Sequence, residues 1–368
     1  MPEVKTKAYR LKYMVQLDAL RAIAVLGVLV HHFLPQQNFT NSKLHWGPHG
    51  VRLFFVLSGF LITGILLHCR DLAEFNWQNK WFTVKRFYAR RFLRLLPVYG
   101  LAIFITAIVA FNSIEQSLPW HLTYTSNIYF SFYPWDELTP HFWSLSVEEQ
   151  FYIAWPFFIL WLPKRFLFKA IVSTIIIGLL LKWLMFVFGF ADGTREYILT
   201  FTCFDSLGLG ALLAMFKYEQ LSDPKAGKVF IQSCFWIGLP LFIALNFFAL
   251  PDPYSWVSPL LGTTAASMFF LWLIDRASNG FSGVVGSVLE FQPLLYLGKI
   301  SYGIYVYHLL TRHVFLKVLN HFNLSYPGLG WRSCMLFSLI TILVATVSWH
   351  LIEKPINSLK QNFSYEKS

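Results

Sequence analysis

Charge is what this sequence has least of. Only 13% of its 368 residues are Asp, Glu, Lys or Arg, where a soluble domain carries about 25%. With 56% hydrophobic residues, 19% aromatic residues and a mean hydropathy of +0.50, this excludes an ordinary water-soluble chain. Period-two alternation is too sparse for an outer-membrane barrel. The four cysteines, Cys69, Cys203, Cys234 and Cys334, lack metal-ligand spacing, so no metal site is expected. They lie in or beside apolar segments and read as buried inert thiols; a Cys203–Cys334 bridge is the alternative, since both fall near the same membrane face. Walker, zinc and Gly-x-Ser-x-Gly motifs are absent, as are repeats and low-complexity tracts. What is present is a series of long apolar runs, the pattern of an all-α polytopic membrane protein.

Runs long enough to cross a bilayer fall at about 15–35, 51–68, 96–112, 147–163, 167–189, 197–216, 229–249, 255–274, 293–317 and 334–353. That predicts about ten transmembrane helices in a single membrane domain over 1–368. Met1 to Lys12 reads as a basic tail before an uncleaved first span. With that tail inside, 22 Lys and Arg fall in inner segments and 6 in outer ones. This asymmetry predicts cytoplasmic termini and a multi-pass protein of the cytoplasmic (inner) membrane. It also accounts for the net charge of +11 without nucleic acid as a partner. Two long connections are expected: a basic cytoplasmic loop over 70–95 and an extracytoplasmic loop over 112–146 that contains no Lys or Arg. The second is rich in Tyr and Trp, which suit either sugar stacking or interfacial anchoring.

The first span carries Asp18, Arg21, His31 and His32. At ~100° per residue, Arg21 and His32 return to within about 20° of one face, with Asp18 about 40° from His32 and His31 about 80° from Arg21. Asp18, Arg21 and His32 therefore form one polar stripe. Ionisable groups in a membrane mark functional paths. Glu148 and Glu149 fall on the same outer face as His32, in a run that includes Trp143. An imidazole and a carboxylate there suit general acid–base work; capping of the fourth helix by Ser144 or Ser146 with acids in its first turn is the structural alternative.

Arg90, Arg91 and Arg94 cluster at the inner face. They suit bidentate phosphate recognition, or snorkelling anchorage to anionic lipid. Ser58-Gly59 permits close helix approach. Arg52 suits an anionic contact or the interface. Asp205, inside the sixth span, demands a partner such as Arg21, Lys182 or a histidine. Ser301, Tyr305 and His308 share one side of the ninth, as substrate lining or as a helix seam.

Seven of these stretches, in order, resemble the acyltransferase-3 family of integral membrane O-acyltransferases. They are Leu17-Asp-Ala-Leu-Arg with His32, Gly50-Val-Arg-Leu-Phe-Phe-Val-Leu-Ser-Gly, Arg90-Arg-Phe-Leu-Arg, Phe142-Trp-Ser-Leu-Ser-Val-Glu-Glu-Gln-Phe-Tyr, Asp205-Ser-Leu-Gly-Leu-Gly, Ser301-Tyr-Gly-Ile-Tyr-Val-Tyr-His and Glu353-Lys-Pro. The resemblance implies a ten-helix domain that takes an acyl group, usually acetyl, from cytoplasmic acyl-CoA and esterifies an extracytoplasmic glycan such as lipopolysaccharide O-antigen or exopolysaccharide. It puts the essential histidine on His32, the helix-1 arginine on Arg21, the basic motif on Arg90, Arg91 and Arg94, and the acidic pair on Glu148 and Glu149. Asp18, Arg52, Ser58, Trp143, Asp205, Tyr305 and His308 are expected to line the substrate path.

Arg52 departs from the acidic or amide residue common in the family, which points to a different or anionic acceptor. The chain resembles the form without an appended hydrolase-like domain. The expected partners are lipid bilayer, acyl-CoA as donor substrate and glycan acceptor, with no permanently bound cofactor. The rival readings are a transporter or flippase with an intramembrane charged pathway, and a non-catalytic partner of a polysaccharide synthase.

Overall fold

The structure, a computed structural model, describes residues 13–75, 79–218, 224–248, 257–324, 328 and 330–365. Among these it is entirely helical. Ten long helices organise it: α1 (Val15–Phe33), α2 (Trp46–Phe75), α3 (Lys80–Val109), α4 (Phe142–Trp161), α5 (Lys164–Val187), α6 (Phe204–Tyr218), α7 (Pro224–Phe247), α8 (Thr263–Asn279), α9 (Ser301–His321) and α10 (Trp331–Ser348). Each expected span overlaps one of them. Six of these helices (α1, α2, α3, α5, α7 and α10) are long and apolar enough to cross a membrane; the other four are shorter or more polar. The tail Met1 to Lys12 lies outside the described residues.

Burial sorts the helices. α1 and α2 are mostly covered by protein, whereas α5, α7 and α10 leave most of their apolar windows uncovered. Ile176, Trp183, Trp236, Leu339 and Leu343 are exposed on those outer helices. Such a continuous apolar exterior needs lipid rather than water around it. Close approaches lock the centre. A Cβ added at Gly59 of α2 would meet the Leu207 carbonyl oxygen of α6 at 2.0 Å, and one added at Gly210 of α6 would meet the Val56 oxygen of α2 at 2.1 Å. The two glycines let these backbones touch, as the Ser58-Gly59 pair suggests.

Four expectations are corrected. The stretch 70–95 is not a loop: α2 continues to Phe75, and α3 begins where the Asn79 side chain accepts from the Trp81 N–H at 2.9 Å, an ordinary N-cap. Lys and Arg are good helix formers, so the basic run continues the helix that the apolar criterion begins only at 96. The stretch 112–146 is built from short helices, Phe111–Ile114, Leu118–Leu122 and Ser126–Phe132, and the start of α4. The span expected at 293–317 divides into a short helix, Gln292–Lys299, and α9. Gly298 packs there so tightly that an added Cβ would lie 2.0 Å from the Asp18 carbonyl oxygen. All four cysteines are free and buried, so the Cys203–Cys334 bridge does not form.

Candidate functional site

The polar stripe of α1 opens into a central cavity of the helix bundle. At its N-terminal end Arg21 forms an ion pair with Asp18 at 2.6 Å, and the Tyr13 hydroxyl donates to the same carboxylate. Both charged groups line a cavity of about 510 Å³ formed by α1, α2, α3, α4 and α9. α3 contributes Arg90, Arg91 and Arg94; Arg94 lies four residues from Arg90 and three from Arg91, so the three cover a broad face. Among the described residues no carboxylate lies within ion-pair distance of these three arginines. Arg91 instead lies over the rings of Tyr152 (5.3 Å) and Phe87 (5.6 Å).

The opposite wall comes from α2 and α4. Ser58 donates to Glu148 at 2.5 Å and lies 3.0 Å from the Tyr152 hydroxyl. All three line the cavity. Further along, Ser144 of α4 and Tyr305 of α9 meet through their hydroxyls at 2.6 Å, and the phenol also donates to the His141 carbonyl at 3.0 Å. Ser144 and Tyr305 are lining residues too.

Beyond Tyr305 lies a group of imidazoles. The His32 ring is 4.8 Å from His308, 6.4 Å from His141 and 5.0 Å from His31, centre to centre. His141 and His308 lie 4.3 Å apart, and Tyr305 is 5.3 Å from His141 and 5.8 Å from His308. His308 and His141 are buried, and His308 Nε2 and His141 Nδ1 have no hydrogen-bond partner. No group of His, Cys, Asp or Glu among the described residues has the arrangement of a metal site. The cavity therefore carries cations at one end and neighbours unpartnered imidazole nitrogens at the other, with two hydroxyls between.

The residues singled out in the sequence divide on this geometry. Asp18, Arg21, Ser58, Arg90, Arg91, Arg94, Glu148 and Tyr305 line the one cavity, and His32 and His308 adjoin it through Tyr305. The acidic pair is not brought to His32: among the described residues no hydrogen bond or ion pair joins them. Glu148 turns to Ser58. Glu149, ~100° round the helix, lines a separate cavity of about 320 Å³ with Tyr88, Tyr124 and Arg91.

Arg52 is neither at an interface nor on the main cavity. It is fully buried, donates to the Tyr197 carbonyl at 2.9 Å and stacks over that ring at 4.5 Å. Asp205 finds its partner in Lys182, at 2.7 Å and wholly buried, with Thr264 donating to the same oxygen. Trp143 packs against Phe55 and Tyr197. From the sequence alone His141 and Tyr152 have no role and Ser144 has only that of a helix cap, although the run from His141 to Tyr152 contains all three.

A cap of short helices precedes α4. Asp136 anchors it, accepting from Ser117 Oγ (2.9 Å), Thr139 Oγ1 (2.7 Å) and the Thr139 N–H (2.6 Å). His121 Nε2 is 3.4 Å from the same carboxylate. Burial alone would push the Asp136 carboxyl up, but the hydrogen bonds from His121 and Thr139 outweigh it and hold the group below the ordinary carboxylate range.

Comparison with known proteins gives a consistent result. The model of the acyltransferase-3 family, described as an acyltransferase domain, matches residues 14–353. The peptidoglycan O-acetyltransferase OatA of Listeria monocytogenes is 29% identical over 96% of this chain and 57% of its own length. The O-acetyltransferase OatA of Staphylococcus aureus is 30% identical over 95% and 58%. The chain thus spans less than three fifths of the length of these relatives. No solved structure matches it.

Proposed function

Because the chain belongs to the acyltransferase-3 family, we propose that it is a membrane O-acyltransferase moving an acyl group, acetyl, from cytoplasmic acyl-CoA to a hydroxyl of a glycan on the far side of the cytoplasmic membrane. The carrying observation is the single cavity that runs from the unpaired arginines of α3 to Tyr305, next to the imidazole group. The proposal includes ten membrane crossings with both ends of the chain in the cytoplasm, which puts Arg90, Arg91 and Arg94 on the donor side and His32 on the acceptor side. About 16 Å of helix separates Arg21 from His32, a distance suited to an extended pantetheine arm.

In this reading Arg90, Arg91 and Arg94 grip the donor's phosphates through charge-assisted hydrogen bonds. The thioester lies near Ser144 and Tyr305, whose hydroxyls can donate to its carbonyl oxygen as negative charge develops there. His32 takes the proton of the sugar hydroxyl. The oxygen attacks the thioester carbon, a C–O bond forms, the C–S bond breaks, and CoA leaves as its thiolate. Glu148 balances the arginines across the cavity rather than orienting His32. That the Listeria monocytogenes relative is a peptidoglycan O-acetyltransferase supports a cell-wall glycan as the acceptor class.

The test uses purified protein in liposomes with radiolabelled acetyl-CoA and cell-wall glycan, wild type beside His32→Ala. Labelled glycan and released CoA from the wild type, lost in a folded His32→Ala variant, are expected. Equal transfer by the variant would overturn His32 as the base. Absence of acetyl-CoA turnover by the wild type would overturn the donor.

A further inference from the structure

Past the last membrane helix the chain turns back over α3. The segment Leu359–Phe363 and the two residues after it lie along the basic run: Arg86 donates to the Asn362 carbonyl, and Arg90 donates to those of Lys360 (3.0 Å) and Phe363 (3.3 Å). Arg86 also lies over the Phe363 ring (5.5 Å) and Arg90 over that of Tyr365 (5.2 Å). Five such contacts fasten seven residues to one face of one helix.

Between this strap and α2 is a second cavity of about 340 Å³, lined by Arg90, Lys360, His68, Gln361 and Tyr365 among others. Arg90 lines both this cavity and the central one. Lys360 stands among arginines, yet among the described residues no carboxylate reaches it or Arg90. Cations held this close, with no carboxylate among the described residues paired to them, repel one another, which an arriving anion would relieve. The fold has spent a dedicated segment on holding this arrangement.

We propose that the strap cavity is a second anion subsite, built by Lys360, His68 and Arg90, that takes the phosphate at the nucleotide end of the donor while the acyl arm runs into the central cavity past Arg90. The inference rests on the acyl-CoA reading above and extends it from Arg90 to Lys360 and His68, which lie outside every motif of the family resemblance. A phosphorylated nucleotide and an anionic lipid headgroup offer the same phosphate chemistry, so the test separates them.

Binding of CoA and of dephospho-CoA, which lacks the ribose 3′-phosphate, is measured on the full chain in phosphatidylcholine nanodiscs, with and without phosphatidylglycerol. Wild type is expected to prefer CoA by about tenfold, the worth of one charge-assisted contact. In Lys360→Gln and in His68→Gln that preference shrinks with dephospho-CoA affinity unchanged, while Lys360→Arg keeps it. The thermal midpoint of each variant monitors folding. An unchanged preference in folded Lys360→Gln, alongside normal CoA binding, overturns the subsite and leaves the donor reading standing. Failure of wild type to bind CoA overturns both. A Lys360-dependent response to phosphatidylglycerol alone, with no CoA preference, identifies a headgroup site and likewise overturns the proposal.

Discussion

His308 donates from Nδ1 to the carbonyl oxygen of Tyr305, 2.6 Å away on the same helix. A carbonyl can only accept, so the proton is on Nδ1, and in the neutral ring the buried, unpartnered Nε2 carries the lone pair. The ring lies 4.8 Å from that of His32. An imidazole locked in one tautomer beside the proposed base suits holding or relaying the proton that His32 collects. His308→Gln is therefore expected to lower turnover by roughly tenfold or more, to alter the pH–rate profile, and to leave acetyl-CoA affinity unchanged. An unaltered profile at full rate would assign His308 to helix packing alone.

The arginines of α3 make a separable prediction. If they grip phosphate, Arg94→Gln and Arg91→Gln raise the KM for acetyl-CoA more than they lower kcat, and binding weakens with salt. Arg91→Lys should not rescue, because the ammonium lacks the planar fork that now lies over Tyr152. Steady-state kinetics in liposomes reads both. Rescue by lysine would instead favour simple membrane anchorage.

The Lys182–Asp205 pair tests burial. Both side chains are almost wholly removed from solvent and meet at 2.7 Å. Removing one partner leaves an uncompensated charge, at a cost of about 3–5 kcal/mol. Lys182→Met alone should lower the thermal midpoint and expression sharply. The double variant Lys182→Met with Asp205→Asn should recover part of the loss. Equal destabilisation by the single and double variants would show that the pair contributes by packing.

Gly59 makes the steric case. Any side chain there meets backbone, the Leu207 carbonyl at 2.0 Å, which no rotamer change relieves. Gly59→Ala should cost about 1–3 kcal/mol by overpacking and displace Ser58, hence Glu148. Loss of stability with transfer reduced in proportion is expected on thermal scans paired with activity. A neutral substitution would mean that α2 and α6 separate readily.

How far the site could be read from the residues follows from what each inference required. The Asp18–Arg21 stripe was legible because helical geometry alone sets it. That Asp205 needs a partner was legible because a buried carboxylate demands one, but the choice of Lys182 over Arg21 or a histidine is made by packing. The relation of Glu148 and Glu149 to His32 was not, since adjacent helical residues point ~100° apart and tertiary packing decides which neighbour each meets. His141 was hidden among loop aromatics, and the helical course of 80–95 was masked by its charge, which an apolar criterion reads as loop. The strap over α3 left no periodic trace, because it is held by arginines donating to backbone carbonyls.

The cap before α4 predicts a pH dependence. The Asp136 carboxyl is held below its ordinary value of 3.8 by His121 and Thr139 against the cost of burial, so the folded state binds its proton less readily than the unfolded chain does. The resulting stabilisation is fully present above pH 3.8 and drains away as the pH falls through the folded value. Ser117, Thr139 and His121 then lose a charged acceptor, and the segment from Ser117 to Thr139 should loosen before the membrane core does. Hydrogen exchange over 111–141, or fluorescence of Trp135, which stacks on Phe130 at 4.8 Å, reports on this segment directly. Wild type is expected to lose protection there on acidification. Asp136→Asn should show reduced protection already at neutral pH and a shallower acid response, because no carboxylate remains to be protonated. An acid response identical in the two proteins would assign the loosening to another group.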